Sequence, residues 1–205
     1  ILHRLVGSEM CIRDRINLVN SCRIQKQEKM SGKENFKFKI LDFKDLERVM
    51  EIERLSNPTP WSIGSFIDCI NSNYQNILLI KQEEIIGFCI STINFTESHL
   101  LNISVHPEFR SQGMGQLLLN KSEQDAKKKG VSDIFLEVRD SNEKAIEFYK
   151  KNNYKNVGKR KNYYRLSQGR EDGLIFTKHM NLSSLESISR FSLFFLRKML
   201  NFNRG

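Results

Sequence analysis

With 205 residues the chain is long enough for one domain with a real hydrophobic core, plus additional segments. Apolar residues make up 39% and charged residues 28%, the balance of a globular protein in water, and no run of about 18 uncharged apolar residues exists to span a membrane. A formal net charge of +9 would suit a nucleic-acid binder only if it lay on the body of the fold; residues 30–180 hold 23 basic and 20 acidic side chains, so most of the excess sits in the ends and no specific nucleic-acid partner is expected.

The cysteines, Cys11, Cys22, Cys69 and Cys89, have no paired spacing and no clustered histidines, which excludes a zinc site or a disulfide framework and predicts no metal. Cys69 and Cys89 fall in apolar runs and read as small core residues.

Along the chain, Leu5 to Arg15 (LVGSEMCIRDR) resembles a translated sequencing-library adapter, so residues 1–29 read as a non-native, disordered leader and Met30 as the natural start. Phe36 to Leu41 alternates like a strand. Asp42 and Asp45 then precede apolar residues at helical spacing from Leu46 to Leu55, and Asn57-Pro58-Thr59-Pro60 stops that helix. Ser62 can cap a second helix through Ile70. Asn76 to Ile80 and Ile85 to Ile93 form a hairpin, and Leu100 to Val105 is a further strand. A helix opens at Gln116 and stops at Gly130; Asp133 to Val138 is a strand, Asn142 to Asn152 a helix, and Tyr154 to Tyr164 and Leu174 to Met180 are the last strands. Strands first meander and then alternate with helices. The fold class is therefore mixed α/β: a central, mostly antiparallel sheet of about seven strands with helices on both faces.

Beyond this domain, taken as 30–180, residues 181–205 form an extension. Over 184–202 it carries Ile188, Phe191, Phe195, Met199 and Phe202 on one face, an amphipathic helix suited to docking on the domain or a partner and less well to a membrane surface.

Between the fourth strand and its helix lies Arg110-Ser111-Gln112-Gly113-Met114-Gly115. A strand, a glycine turn and a helix N-terminus aim backbone N–H groups and a positive helix end at one point, an anion cradle, with glycine keeping side chains out of the way of a phosphate. That order of elements, this loop and Val105-His106-Pro107 before it resemble the GCN5-related N-acetyltransferase superfamily, in which an Arg/Gln-x-x-Gly-x-Gly/Ala loop holds the pyrophosphate of acetyl-CoA. Pro60-Trp61-Ser62, Leu136 to Asn142, Ala145-Ile146, Phe148-Tyr149, Arg160 to Tyr164 and Gly169 to Asp172 further resemble the RimI group, which acetylates the N-terminal alanine of small-subunit ribosomal protein S-18.

The resemblance implies a bacterial cytoplasmic acyltransferase with acetyl-CoA as co-substrate and the S-18 N-terminus as protein partner. Glu137, alone among apolar strand neighbours, matches the proton acceptor that an α-amine of pKa about 7.7–8.0 needs near neutrality. Tyr149 matches the proton donor to the departing thiolate. Ile103, Ser104 and Val105 would offer backbone groups to the acetyl and pantetheine portion, a type of oxyanion contact worth about 3–4 kcal/mol. Arg110 to Gln116 and Asn142 would contact coenzyme A, and Trp61, Tyr163 and Tyr164 the acceptor. On residue grounds Asn142 is equally a helix N-cap, with Asp140 and Glu143 as a capping-box-like pair, and His106 a solvated loop residue.

Two departures from the family pattern stand out. Asn153 replaces a common glycine at a helix end, where asparagine tolerates the left-handed conformation, and Gly173 replaces a frequent alanine, a small change. Two alternatives stay open: the same chemistry on a lysine, polyamine or aminoglycoside, and a non-catalytic acyl-CoA-binding protein. Oligomeric state is not legible.

Overall fold

A computed structural model describes residues 36–181 apart from 73 and 167. The leader, Met30, Cys11, Cys22 and the amphipathic helix over 184–202 lie outside the described residues.

Strand β1 (Phe36–Ile40) is followed by Asp42, whose carboxylate accepts from the Phe43 N–H at 2.7 Å while Asp45 reaches back to the Asp42 N–H at 3.0 Å. This reciprocal cap starts a short 3-10 turn that runs into α1 (Leu46–Ser56). The helix stops at Asn57, before Pro58. Ser62 then caps α2 (Ile63–Asn71) by accepting from the Ser65 N–H at 3.2 Å. Strands β2 (Gln75–Lys81) and β3 (Glu84–Asn94) form the expected hairpin around Gln82-Glu83, both at positive φ, the turn whose twist matches the strands.

Strand β4 (Glu97–Val105) pairs antiparallel with β3, α3 (Met114–Lys128) crosses over, and β5 (Asp133–Arg139) lies parallel to β4. After α4 (Glu143–Lys151), β6 (Lys155–Arg165) forms the sheet edge and β7 (Arg170–His179) inserts between β5 and β6. The order β1-β2-β3-β4-β5-β7-β6 is the mixed, mostly antiparallel seven-stranded sheet anticipated from the sequence. Left-handed Gly130 follows α3, and Asn153, at φ 65°, takes the same conformation after α4 as expected.

Alternation along the central strands supplies one core on each face. Ile77, Leu79 and Cys89 pack with Leu118, Leu119 and Ala126 of α3 and with Tyr149 of α4. Leu78, Phe88 and Ile90 point the other way, onto Val49 and Ile52 of α1 and Phe66 of α2. Cys69 and Cys89 are buried free thiols, pushed up by burial to about 11 and about 12. They are core residues and not reactive thiolates.

β4 begins three residues before the strand read from Leu100, because a turn at Phe95-Thr96 draws polar Glu97, Ser98 and His99 into the ladder, with Ser98 buried. Its other half positions the site. The parallel bridge to β5 covers only Glu97–Leu100 against Asp133–Leu136. At that point Ile90 faces Asn102 and Ser91 faces Leu100, so Leu101 is an extra, bulged residue. A bulge bends its strand and raises its twist, and β4 and β5 separate from here on.

Candidate active site

The separation opens a cleft of about 770 Å³. One wall is Leu101 to Val105 of β4, the opposite wall is Glu137 to Arg139 of β5, and Tyr149 of α4 and Tyr164 of β6 also line it. The α1–α2 loop contributes Asn57, Pro58 and Trp61, and the start of α3 closes the remaining end.

The open edge of β4 has a defined polarity. The His106 N–H donates to the Ile86 carbonyl at 2.9 Å, and antiparallel alternation then directs the N–H and C=O groups of Ser104 and Asn102 to β3 as well. Those of Ile103 and Val105 face the cleft, where among the described residues no strand pairs with them. Of the three expected backbone contacts, Ile103 and Val105 are therefore the ones on the open edge, while the buried Ser104 side chain turns toward α1. A close approach holds this strand in place: a Cβ on Gly87 would stand 2.8 Å from the Ser104 carbonyl oxygen and 3.1 Å from a Leu118 methyl.

At the head of α3, Ser111 and Gly113 sit at φ 60° and 82° and turn the chain so that the unpaired first N–H groups of the helix, at Met114, Gly115 and Gln116, face the cleft. No protein atom lies within 4 Å of a Cβ built on Gly113, so the demand for glycine from within the protein is its left-handed backbone. Turn, helix end and free amides suit a pyrophosphate. Arg110 has other partners: its Nε donates to the Val105 carbonyl at 3.0 Å and its Nη2 to Ser56 Oγ at 2.9 Å, strapping the loop to β4 and α1. The Gln112 side chain folds back onto the Glu108 carbonyl, and it is not among the cleft-lining residues, whereas Gln116 lines the cleft and donates to Asn120 and Asn152.

Glu137 lies on the face of β5 opposite buried Leu136 and Val138. Its ion-pair partner is Arg160, at 3.0 Å. Arg139 pairs with Glu171, donates to Thr59 of the α1–α2 loop and lies 4.5 Å over the Tyr164 ring. Burial alone would raise the Glu171 carboxyl, but hydrogen bonds from Ser141 and Arg139 outweigh it and hold it below the usual carboxylate range.

Tyr163 lies one step behind the cleft wall. Burial and its hydrogen bond to Glu137 push its phenol up to about 12. Its ring meets Tyr164 edge-on at 4.9 Å. A Cβ on Gly173 would fall 3.1 Å from Tyr164 and 3.2 Å from Tyr163, so an alanine there would press both rings outward by a few tenths of an ångström. Tyr149, 7% exposed, packs against Tyr154 and Phe176, and burial raises its phenol well above the ordinary value. Among the described residues no hydrogen bond engages its hydroxyl.

Asn142 lines the cleft and caps α4 through its own side chain, accepting from the Ala145 N–H at 3.2 Å. The capping-box-like pair does not form, since Asp140 bonds to Lys159 at 2.9 Å. His106 is not solvated either: its side chain is 11% exposed, packs by Phe109, and keeps a buried Nδ1 with no hydrogen-bond partner.

A residue absent from the sequence reading is Glu53. It is fully buried on α1 and bonded to Asn57, Trp61, Asn102 and Ser104, four residues that all line the cleft. The signal was present: Val49, Ile52 and Glu53 occupy the i, i+3, i+4 positions of one stripe, which places a carboxylate on the buried face.

Residues 46–154 match the model of the Acetyltransferase (GNAT) family. The chain belongs to this family. A [ribosomal protein bS18]-alanine N-acetyltransferase of Haemophilus influenzae is 39% identical over 137 residues, covering 66% of this chain and 93% of the relative. The enzyme of the same name from Escherichia coli is 34% identical over 135 residues, covering 66% and 91%. A crystal structure of the Escherichia coli ribosomal-protein-S18-alanine N-acetyltransferase superposes with a TM-score of 0.69 at 31% identity, covering 73% of this chain and 97% of that one. The fold of the family is thus this fold, and its members are acetyltransferases.

Proposed function

We propose that this protein transfers the acetyl group of acetyl-CoA to a protein N-terminal α-amine, that of the N-terminal alanine of ribosomal protein bS18, by direct attack within a ternary complex. The observation that carries this reading is the meeting of Glu137 and Tyr149 in one cleft beside the backbone N–H groups of Ile103 and Val105, on the edge of β4 that no strand among the described residues covers. The bacterial relatives named for this activity support the acceptor.

The free N–H groups of Met114, Gly115 and Gln116 would hold the pyrophosphate, with Arg110 and Gln112 shaping the loop and Asn142 beside it. A backbone N–H at Ile103 or Val105 polarises the thioester carbonyl and stabilises the oxyanion. Glu137, directly or through one water, takes the proton the ammonium must lose before it attacks. Nitrogen then bonds to the acetyl carbon, the carbon–sulfur bond breaks, and Tyr149 protonates sulfur as its charge develops; the second proton of the attacking nitrogen leaves to water as the amide forms, and Tyr149 regains its own proton from water once the products depart. A phenol of ordinary pKa about 10 is protonated at neutral pH and so has the proton to give; burial, which raises Tyr149 further, favours that neutral form and makes it a weaker acid. Trp61 and Tyr164 would border the acceptor, with Tyr163 holding Glu137.

The catalytic domain would be residues 30–180, with 1–29 and 181–205 flanking it, and the bacterial cytoplasm, where ribosomal proteins are made, would be its place of action. The test is coenzyme A thiol release from acetyl-CoA with three acceptors: an Ala-Arg-starting peptide, the same peptide N-blocked but containing lysine, and spermidine. Release with the free peptide alone is expected; acetylation of the blocked peptide and not the free one would overturn the acceptor.

A further inference from the structure

Glu53 is a fully buried carboxylate on the same helix face as the apolar core residues Val49 and Ile52. Removing a carboxylate from water costs several kcal/mol unless its lone pairs are satisfied, and among the described residues no basic group lies within ion-pair distance of it. Its four acceptor sites are filled instead by neutral donors, divided by element. Oε1 accepts the Trp61 N–H at 3.0 Å and Asn57 Nδ2 at 3.1 Å, both from the α1–α2 loop. Oε2 accepts Asn102 Nδ2 at 3.1 Å and shares the Ser104 hydroxyl, 3.5 Å away, with Asn102 Oδ1 at 3.4 Å; both residues come from the half of β4 that has left β5. One turn later Ser56 repeats the pattern, its Oγ donating to the Val105 carbonyl at 3.3 Å.

We propose that Glu53 is a positioning residue for acyl transfer: its carboxylate fixes, through one group, the acceptor-side loop at 57–61 and the free half of β4 that carries the oxyanion-binding edge. The inference rests on reading the cleft as an acetyl-transfer site. A strand that has lost a neighbour needs another restraint to hold a geometry useful to within a fraction of an ångström, and α1 supplies it. An apolar residue would fill the volume, but it would neither orient the Asn102 amide nor hold the Trp61 N–H.

Glu53→Gln is the discriminating variant because it is isosteric and cannot accept on both sides. The Trp61 N–H belongs to the backbone and cannot turn, so the new oxygen stays with the loop and the new NH₂ faces β4. There Asn102 must turn its Oδ1 to the new NH₂, and the Ser104 hydroxyl loses both of its acceptors, Glu53 Oε2 at 3.5 Å and Asn102 Oδ1 at 3.4 Å. With the full chain, single-turnover acetyl transfer is measured for wild type, E53Q, N102A and the double variant, using whichever amine the wild type acetylates, together with coenzyme A affinity by calorimetry.

The expected result is a rate at least tenfold lower in E53Q, coenzyme A affinity within threefold of wild type, and less than a further twofold loss on adding N102A, since both act through one contact. A folded E53Q with a wild-type rate overturns the proposal, as does a loss of coenzyme A affinity in proportion to rate or a multiplicative double variant. Should E53Q not fold, Asn102→Ala and Ser104→Ala singly carry the same expectation, a rate at least fivefold lower with coenzyme A affinity kept, and wild-type rates in both would overturn it. Activity of the wild type on another amine but not on the Ala-Arg peptide would refute the acceptor and leave Glu53 readable with that amine.

Discussion

Tyr149→Phe separates packing from chemistry at the position where the two are most entangled. The ring meets Phe148 at 5.4 Å, Tyr154 at 5.7 Å and Phe176 at 6.5 Å, and phenylalanine keeps all three contacts. Among the described residues the hydroxyl has no hydrogen bond to lose, so stability should change by less than about 1 kcal/mol, against about 3–5 kcal/mol for Tyr149→Ala, which empties the site. A general acid contributes about 10²- to 10⁴-fold, or roughly 3–5 kcal/mol of barrier. Single-turnover thiol release should therefore fall by at least about 10²-fold in Tyr149→Phe while its denaturant midpoint stays near wild type. Because burial lifts this phenol above its ordinary value of about 10, the wild-type rate should show no tyrosine limb below that pH. A Tyr149→Phe enzyme within threefold of wild type would refute the donor role.

Glu137→Gln should lower turnover most near pH 7 and recover in part at alkaline pH, as free amine accumulates; a pH profile parallel to wild type would count against a base. Its loss of the Arg160 partner, a pair open to solvent, should cost less than about 1 kcal/mol in a melting experiment. Gly87→Ala forces a methyl against the Ser104 carbonyl and a Leu118 methyl, and should destabilise by about 1–3 kcal/mol; an unchanged denaturant midpoint would show that the strands can spread. Gly173→Ala presses on both tyrosines and should raise the acceptor KM severalfold with little change in coenzyme A affinity, and equal kinetics would mean that the pair shifts without consequence.

Element order was legible in the sequence because the decisive signals were local: a carboxylate cap at Asp42, prolines after Asn57, Ser62 before an amphipathic run, left-handed Gly130 and Asn153 after helices. The site was legible in part, since Glu137 announces itself as a charge among apolar strand residues and the glycine loop by its neighbours. What escaped depends on contacts between distant segments. The bulge at Leu101 exists only relative to Ile90 and Ser91; the crowding at Gly173 needs a neighbouring strand; and the burial of His106 arises from packing a loop reading cannot contain. Glu53 lay between these cases, visible as a stripe position and explicable only by the loop and strand that surround it.

The four-residue bridge between β4 and β5 also makes the cleft a seam in the molecule's cohesion. Backbone amides on its two sides should exchange with solvent on different clocks: those of Asn102 and Ser104 guarded by β3, those of Ile103 and Val105 open until a thioester occupies the slot. Acetyl-CoA would then act as a stitch as well as a reactant, and hydrogen exchange with and without it should show protection appearing at alternate residues along a single strand; uniform protection would mean that the seam is already closed.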